Sequence, residues 1–441
     1  MLAPPLTPRA DSLAGNRAAE LLARFRAVRD FSTRLCHGLQ PEDYVVQSMP
    51  DVSPTKWHLA HTTWFFETFV VKTWVSGYHS EVPEYAFLFN SYYNAAGEMH
   101  RRDLRGLISR PTVQETHRFR QSIDECVAKL VEEADEELLA EIEPVLILGI
   151  HHEQQHQELL VTDIKHVFAQ NPLHPIFEKS AVVSQPSQIA PQQFVEFEEA
   201  TVAIGHEGPA FSYDNEGPRH RALVLPFALS TRLVTNGEYL AFIAAGGYTR
   251  PEFWLSLGWT TVQEQRWQAP LYWEKRDGAW WNFTLSGFRP VAEAEPVTHI
   301  SYFEADAFAN WDGSRLPTEF EWERASQGIP IEGNFVDSHR FHPVPVDRAA
   351  TSAGHAQPRA LQQMFGDVWE WTRSAYLPYP GYRAAPGALG EYNGKFMSNQ
   401  MVLRGGSCAT SRNHMRATYR NFFPPDKRWQ FTGLRLARDL A

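Results

Sequence analysis

The sequence predicts an α+β chain of two domains, a helical bundle followed by a mixed domain with small, irregular sheets. Up to residue 170, apolar side chains recur at three- and four-residue spacing over four long segments, as they do on amphipathic helices. After residue 193 the chain is rich in glycine, proline and aromatic residues, and 11 of its 14 tryptophans lie there. At roughly 100–200 residues per domain, 441 residues suffice for two or three domains.

These shifts in composition predict where the domains begin and end. The linker stands out because its segment, NPLHPIFEKSAVVSQPSQIAPQQ, is rich in proline and polar residues. We therefore expect a flexible N-terminus over residues 1–13, the bundle over 14–170, the linker over 171–193 and the mixed domain over 194–441.

The starts of the bundle helices carry local signals. Ser53 is predicted to cap the second helix, with Pro54 at its first position. Thr112 and Glu115 have the spacing of a capping box at the start of the third helix. Pro144 lies inside the fourth segment and marks either a kink or the true start of that helix. Four such helices predict an up-and-down bundle, whose interior commonly holds metal sites.

Three further segments have a predicted structure. Residues 84–112, between the second and third helices, have the composition of a long ordered loop, and loops of this length in a compact domain are usually functional. FVEFEEATVAIG, from residue 194, alternates like a strand. SYFEADAFANWDG and TEFEWERASQ are the best helix candidates of the mixed domain.

Charge and cysteine content limit the functional classes. Acidic residues outnumber basic ones by 52 to 41, and the formal charge of −11 argues against a nucleic-acid or anionic-membrane partner. No apolar run approaches the roughly 20 residues that a membrane span requires. Three cysteines, Cys36, Cys126 and Cys408, are too few for a disulfide framework, which favours a reducing, cytoplasmic location.

The most specific chemical signal is HHEQQHQE, residues 151–158. A helix advances about 100° per residue, so His152 and His156, four residues apart, project from one face and can chelate one metal ion. His151, five residues before His156, is a poor partner for it. Glu158 lies two residues past His156, roughly 200° round the helix, so we expect its carboxylate to point away from the site.

A second histidine pair, His58 and His61, lies on the predicted second helix. A three-histidine site with open positions suits iron or another first-row metal in redox chemistry, or zinc in hydrolysis. Spacing alone decides neither the metal nor which of the two histidines takes part. HEQQH also fits the letters of the zincin motif HExxH, but a zincin would need a third ligand downstream, whereas the candidates here lie upstream.

These motifs resemble known families. SPTKWHLAHTTWFFE resembles the second helix of DinB-like bundles, and HHEQQHQE matches the HxxxHxE pattern of the sulfoxide synthases that make ergothioneine and ovothiol. The second half resembles the formylglycine-generating-enzyme fold, a C-type-lectin-like domain, through PVTHISYFEADAFANWDGSRLPTEFEWERAS, GDVWEWT, LRGGSC and GLRLAR. The pairing of the two domains resembles the ergothioneine-type sulfoxide synthases, the hercynine oxygenases.

This resemblance implies an enzyme with iron(II) as its cofactor, held by His61, His152 and His156. It selects His61 over His58 because the helix motif ends in that histidine. It does not imply formylglycine generation, because that oxidase needs a cysteine pair beyond its RGGS motif, whereas here Cys408 directly follows the motif and is the last cysteine. We expect the lectin-like domain to serve as a substrate-binding lid.

The implied reaction joins a thiol sulfur to C2 of the imidazole of hercynine (Nα-trimethylhistidine), consumes O2 and leaves a sulfoxide. A nearby phenol can donate a proton or a hydrogen atom and divert the reaction from sulfinic acid formation. Tyr92 and Tyr93, in FNSYYNAAG, are the candidates. The paired tyrosines resemble the type of synthase that uses free cysteine rather than γ-glutamylcysteine.

The resemblance also implies substrate-binding residues. Arg102 and Arg105 match the RxxR of the thiol-substrate site, where a guanidinium can bind a carboxylate in bidentate fashion. Gln155 matches the glutamine that hydrogen-bonds the substrate imidazole. Near the C-terminus, Asn421, Phe422 and Phe423 stand where the mycobacterial family members have Asn-Trp-Asp, and the missing aspartate fits a thiol without a γ-glutamyl ammonium.

Other functions stay open on the sequence. An ovothiol-type or selenium-inserting relative would share the iron site but differ in acceptor or chalcogen donor. A DinB-type zinc-dependent thiol transferase would carry the second domain as a binding module. A lectin-like binding protein would use the bundle only as a scaffold.

Overall fold

The computed structural model describes residues 10–179, 191–346, 361–384 and 390–440. The chain divides into two compact units, residues 1–167 and residues 168–441. Helices make up the first unit and small sheets with short helices the second, which confirms the predicted α+β class. Within the described ranges, no helix combines the length and apolarity that crossing a bilayer requires.

The first unit is built on four long helices and two short ones. They are α1 (Ala10–Leu35), α2 (Thr55–Phe66), α3 (Lys72–Trp74), α4 (Tyr85–Phe89), α5 (Val113–Glu133) and α6 (Glu136–Gln170). Helix α1 begins inside the segment predicted to be flexible, residues 1–13, of which residues 1–9 lie outside the described residues. Helix α6 begins eight residues before Pro144 and continues through it without a break.

Two predicted helix starts have different outcomes. The capping box of α5 is confirmed, since the Thr112 side chain accepts from the backbone N–H of Glu115 and the Glu115 carboxylate accepts from that of Thr112. The predicted Ser53 cap is wrong, because α2 begins at Thr55 and Pro54 occupies the cap position. The Ser53 backbone N–H instead donates to Asp163, 2.7 Å away.

Buried ion pairs join the four long helices at the centre of the first unit. Glu153 of α6 accepts hydrogen bonds from Arg29 and Ser32 of α1 and from Arg120 of α5. Arg29 also donates to Thr63 of α2, at 3.1 Å. Since all five side chains are buried, this network fixes how the helices face one another.

The predicted long loop between α2 and α5 is ordered and contains several short elements. The π-helical turn Glu67–Val71 directly follows α2 and precedes this loop. Within residues 84–112 lie α4 and two 3₁₀ turns, Asn94–Ala96 and Arg102–Leu107. The second of these turns brings one arginine, Arg105, into the interior.

The described part of the second unit contains short strands in four sheets. The strands are β1 (Phe194–Phe197), β2 (Ala200–Ile204), β3 (His220–Val224), β4 (Phe227–Ser230), β5 (Trp273–Arg276), β6 (Ala279–Thr284), β7 (Gly287–Pro290), β8 (Trp369–Ala375), β9 (Met401–Arg404), β10 (Asn421–Phe423), β11 (Thr432–Gly433) and β12 (Ala437–Asp439). The sheet orders are β1-β4-β12, β2-β3, β5-β6-β7 and β10-β9-β8-β11. Among the strands of the described residues, every pairing is antiparallel except that of β11 with β8.

The helices of the second unit are short. They are α7 (Asn236–Ala244), α8 (Ser256–Gln265), α9 (Tyr302–Asp312), α10 (Glu319–Ser326) and α11 (Glu391–Gly394). The two predicted helices are confirmed as α9 and α10, each with a capping box, begun by Ser301 and by Thr318. Of the predicted linker over residues 171–193, residues 180–190 lie outside the described residues.

Candidate metal centre

Three histidines meet in the interior of the first unit. His61 comes from α2, and His152 and His156, one helical turn apart, come from α6. Each offers one ring nitrogen, and these three atoms lie within 4.8 Å of one another. The Nε2 atoms of His61 and His152 are 3.2 Å apart. Three imidazole nitrogens this close form a donor set of the kind that first-row metals take.

The cluster holds its imidazoles neutral, which metal binding requires. Burial, together with the neighbouring His152, lowers the pKa of His61 well below its ordinary value. Burial and the other histidines do the same to the pKa of His156. Burial also lowers the pKa of His152 to about 4. At neutral pH each ring therefore offers an unprotonated nitrogen.

The second ring nitrogens show which atoms are available to a metal. His61 Nδ1 lies 2.6 Å from the carbonyl oxygen of Phe89 and must donate to it, which leaves Nε2 with its lone pair. His156 Nδ1 lies 2.9 Å from His58 Nδ1. His152 Nδ1 is buried without a hydrogen-bond partner. The donor set fits iron, which accepts neutral imidazole, and it fits zinc equally on donor type.

Glu153, the acidic residue of the HExxH-like letters, is bound by two guanidinium groups. Burial alone would raise its pKa, but Arg120 and Arg29 lower it to about 2. The Ser32 hydroxyl donates a further hydrogen bond to it, at 2.6 Å. A carboxylate held in this way is a poor proton acceptor at neutral pH, so Glu153 serves the fold and not the role of a zincin base.

Two tryptophans stack on His61. Trp57, four residues before it, is nearly parallel to its ring, with ring centres 4.6 Å apart. Trp64, three residues after it, stacks at 5.6 Å. The stack continues beyond Trp57, because the guanidinium carbon of Arg105 lies 3.4 Å from the centre of the Trp57 ring. An ordered cation–π stack therefore links the 3₁₀ turn to the histidine cluster.

Arg105 is a buried cation held by neutral groups. It is 4% exposed, and it donates to the hydroxyls of Ser53 and Ser91 at 2.9 and 3.0 Å. Its Nε is buried without a hydrogen-bond partner. Burial and the charge of Arg102 lower its pKa to about 9. A guanidinium with an unused donor in such a place is suited to receive an anion.

The two predicted tyrosines have different surroundings. Tyr93 is 4% exposed and packs against aromatic rings, with ring centres 5.7 Å from Trp64 and 5.4 Å from Phe69. Tyr92 has a positive φ of 65° and is half-buried, and its hydroxyl accepts from the exposed Arg102. Tyr93 is thus one ring removed from His61, while Tyr92 lies nearer the surface with Arg102.

The remaining predicted residues lie on two elements. Gln155 is half-buried on α6, between His152 and His156. Asn421, Phe422 and Phe423 form β10 of the second unit. Phe422 stacks on Tyr376, with ring centres 4.1 Å apart.

Sequence reasoning missed one residue of this site. Spacing left His58 and His61 open as ligands and the resemblance selected His61; among the described residues, the cluster comprises His61, His152 and His156. Asp163 was not considered, although its carboxylate lies 3.0 Å from His58 Nε2. Its signal was available, because Asp163 follows His156 by seven residues, about two helical turns, on the same face of α6.

Comparisons with known proteins connect this chain to two kinds of enzyme. Residues 179–440 match the family model described as the sulfatase-modifying factor enzyme 1-like domain. A hercynine oxygenase of Mycobacterium tuberculosis is 38% identical over 247 residues, which cover 52% of this chain and 56% of that protein. A formylglycine-generating enzyme of Thermomonospora curvata is 27% identical over 304 residues, covering 60% of this chain and 99% of that protein.

Among solved structures, PvdO from Pseudomonas aeruginosa is similar over 56% of this chain and 94% of its own, with 21% identity and a TM-score of 0.36. The chain spans about half the length of the hercynine oxygenases that it matches, between 54% and 56%.

Proposed function

The chain belongs to the family of sulfatase-modifying factor enzyme 1-like domains through residues 179–440, and from this premise we propose that it is an iron(II)- and O2-dependent sulfoxide synthase. It would join cysteine to hercynine and give hercynylcysteine sulfoxide, a step of ergothioneine biosynthesis. The observation that carries the proposal is the cluster of three neutral histidines, two buried and one half-buried, near a buried arginine whose Nε–H has no hydrogen-bond partner. The similarity to a hercynine oxygenase supports it.

The reaction balances with O2 as the only oxidant. The C2–H of the imidazole and the S–H of cysteine are both lost, one C–S bond forms, and the sulfur gains one oxygen. The second oxygen leaves as water. His61, His152 and His156 would hold the iron, which when bound would supply the redox chemistry that O2 activation needs.

We assign the cysteine carboxylate to Arg105. Its guanidinium already donates to the hydroxyls of Ser53 and Ser91 and stacks on Trp57, so its Nε–H, which has no hydrogen-bond partner, is fixed in direction before substrate arrives. Pre-ordered charged donors lose little conformational freedom on binding. The exposed Arg102, which donates to the Tyr92 hydroxyl, would contribute positive charge nearer the surface.

We assign the acid role to the tyrosine pair. The Tyr93 ring packs among Trp64, Phe65 and Phe69, of which the first two contact ligand histidines through their rings. A phenol in such surroundings can hand a proton to a reacting oxygen while excluding water. Tyr92, with its hydroxyl bound by Arg102, is the second candidate.

Hercynine needs a hydrogen-bond partner for its imidazole and a weakly hydrated surface for its trimethylammonium group. Gln155, on α6 between two ligand histidines, would supply the first. The resemblance also assigns substrate binding to Asn421, Phe422 and Phe423 of β10, and aromatic faces of this kind attract a quaternary ammonium. Phe423 offers no counter-charge to a γ-glutamyl ammonium, and this favours free cysteine as the thiol substrate.

The test begins with anaerobic loading of the full chain with iron(II), followed by hercynine, cysteine and air. We expect O2 consumption and a product with the mass of hercynylcysteine sulfoxide. Cysteine should exceed γ-glutamylcysteine in kcat/KM by at least about tenfold, and Phe423→Asp should narrow that gap. Thiol transfer with zinc and without O2 consumption would overturn the assignment, and equal use of the two thiols would overturn only the choice of cysteine.

A further inference from the structure

A hydrogen-bonded chain connects His156 of the cluster, through His58 of α2, to Asp163, which lies two turns further along α6. His156 Nδ1 lies 2.9 Å from His58 Nδ1, and His58 Nε2 lies 3.0 Å from the carboxylate of Asp163. The same carboxylate oxygen accepts the backbone N–H of Ser53 at 2.7 Å. His58 and Asp163 are each 3% exposed.

Hydrogen-bond direction follows from the carboxylate. The Asp163 carboxylate accepts, so His58 donates from Nε2, and in the neutral imidazole its Nδ1 is then an acceptor. His156 must then carry its proton on Nδ1 and donate to His58, which leaves the lone pair on Nε2. This is the tautomer that a metal ligand with an Nδ1–H partner needs.

We infer that His58 and Asp163 are positioning residues that fix the tautomer and ring orientation of His156 for metal binding. The inference rests on the proposed metal centre and adds to it two residues that do not themselves bind the ion.

Two of the ligand histidines are oriented by different kinds of hydrogen-bond partner, and this difference makes the inference testable. His61 donates to a backbone carbonyl, that of Phe89, which no substitution of a side chain removes. His156 depends on a side chain, His58. Outer partners of metal-bound histidines typically contribute a factor of about 10–100 in metal affinity. Removal of His58 should therefore weaken binding of the ion without removing any ligand.

The experiment measures the dissociation constant for iron(II) under anaerobic conditions, by competition with a chromophoric chelator. We expect His58→Phe, which keeps an aromatic ring but removes the acceptor, to weaken binding about 10–100-fold. His58→Asn places an oxygen near the position of Nδ1 and should recover most of the affinity. His117→Phe, at a half-buried histidine of α5 outside the cluster, is the matched control and should leave the constant unchanged.

The order of action is tested with Asp163→Asn alone and combined with His58→Phe. If Asp163 acts through His58, the double variant binds iron no more weakly than His58→Phe. Three results would each overturn the inference. The double variant could lose iron(II) affinity by the product of the two single losses, His58→Phe could bind iron(II) as tightly as the unmodified chain, or His58→Asn could fail to recover affinity. Chemical unfolding of the metal-free variants separates loss of the fold from loss of affinity. An unmodified chain that binds no iron(II) would instead refute the proposed function.

Discussion

Replacement of Arg105 by methionine should weaken substrate binding with little effect on the stability of the fold, as expected of a buried cation that binds a ligand. Arg105 is buried and bonded to two serine hydroxyls, and it stacks on Trp57. Arg29, which is 2% exposed, is paired with the carboxylates of Asp124 and Glu153. Arg29→Met is therefore the matched comparison, because it removes a guanidinium of equal size and similar burial.

The two substitutions should change the unfolding free energy by different amounts, because carboxylates neutralise Arg29 whereas Arg105 has only neutral hydrogen-bond partners. Burial, with the nearby charge of Arg102, lowers the pKa of Arg105 from 12.5 to about 9, which corresponds to about 5 kcal/mol against the charged form in the fold. Arg105→Met removes that cost, but it also loses two hydrogen bonds of about 1–3 kcal/mol each and a cation–π contact of about 1–2 kcal/mol. The net change in unfolding free energy should stay within about 3 kcal/mol. Arg29→Met leaves the buried Glu153 with only one guanidinium partner and the half-buried Asp124 without this one, and should cost about 3–5 kcal/mol.

Urea unfolding of the metal-free proteins measures these changes, and steady-state kinetics measures the second part of the prediction. Loss of a charged hydrogen bond to the cysteine carboxylate should raise the KM for cysteine at least about tenfold in Arg105→Met. The KM for hercynine should change much less. The reasoning fails if Arg105→Met destabilises the chain as much as Arg29→Met and leaves the KM for cysteine unchanged.

Three further predictions concern the metal, the acid and the pH dependence of stability. Glu158→Ala should retain stoichiometric iron by metal analysis while His61→Ala loses it, and the reverse result would change the ligand assignment. Tyr92→Phe combined with Tyr93→Phe should keep substrate binding but shift product from sulfoxide toward cysteine sulfinic acid, read by mass, whereas an unchanged yield would move the acid role elsewhere. Burial raises the pKa of Asp367 from 3.8 to about 6, so its contribution to stability is present below about pH 4 and is lost as the pH rises through 6; Asp367→Asn should flatten that fall, up to about 3 kcal/mol, in urea unfolding across pH 4 to 7.

Local signals predicted those parts of the fold that depend on residues close in sequence. The capping box of α5 needs only Thr112 and Glu115, three residues apart, and the structure confirms it. The Ser53 cap of α2 is wrong because residues far along the chain engage its groups. Asp163 accepts its backbone N–H and Arg105 donates to its hydroxyl, and both come from other elements. A capping rule contains no information about such partners.

The same limit applies to the chemistry of the site. Spacing on a helix correctly places His152 and His156 on one face, yet the same letters place a glutamate, Glu153, where a zincin has its base. What decides its role is two arginines, Arg29 from 124 positions away and Arg120 from 33. They hold the pKa of Glu153 at about 2, so this carboxylate does not take a proton from a water at neutral pH. Glu153 therefore could not serve a metal bound here as the general base of a zincin, and this follows from the two arginines and not from any resemblance.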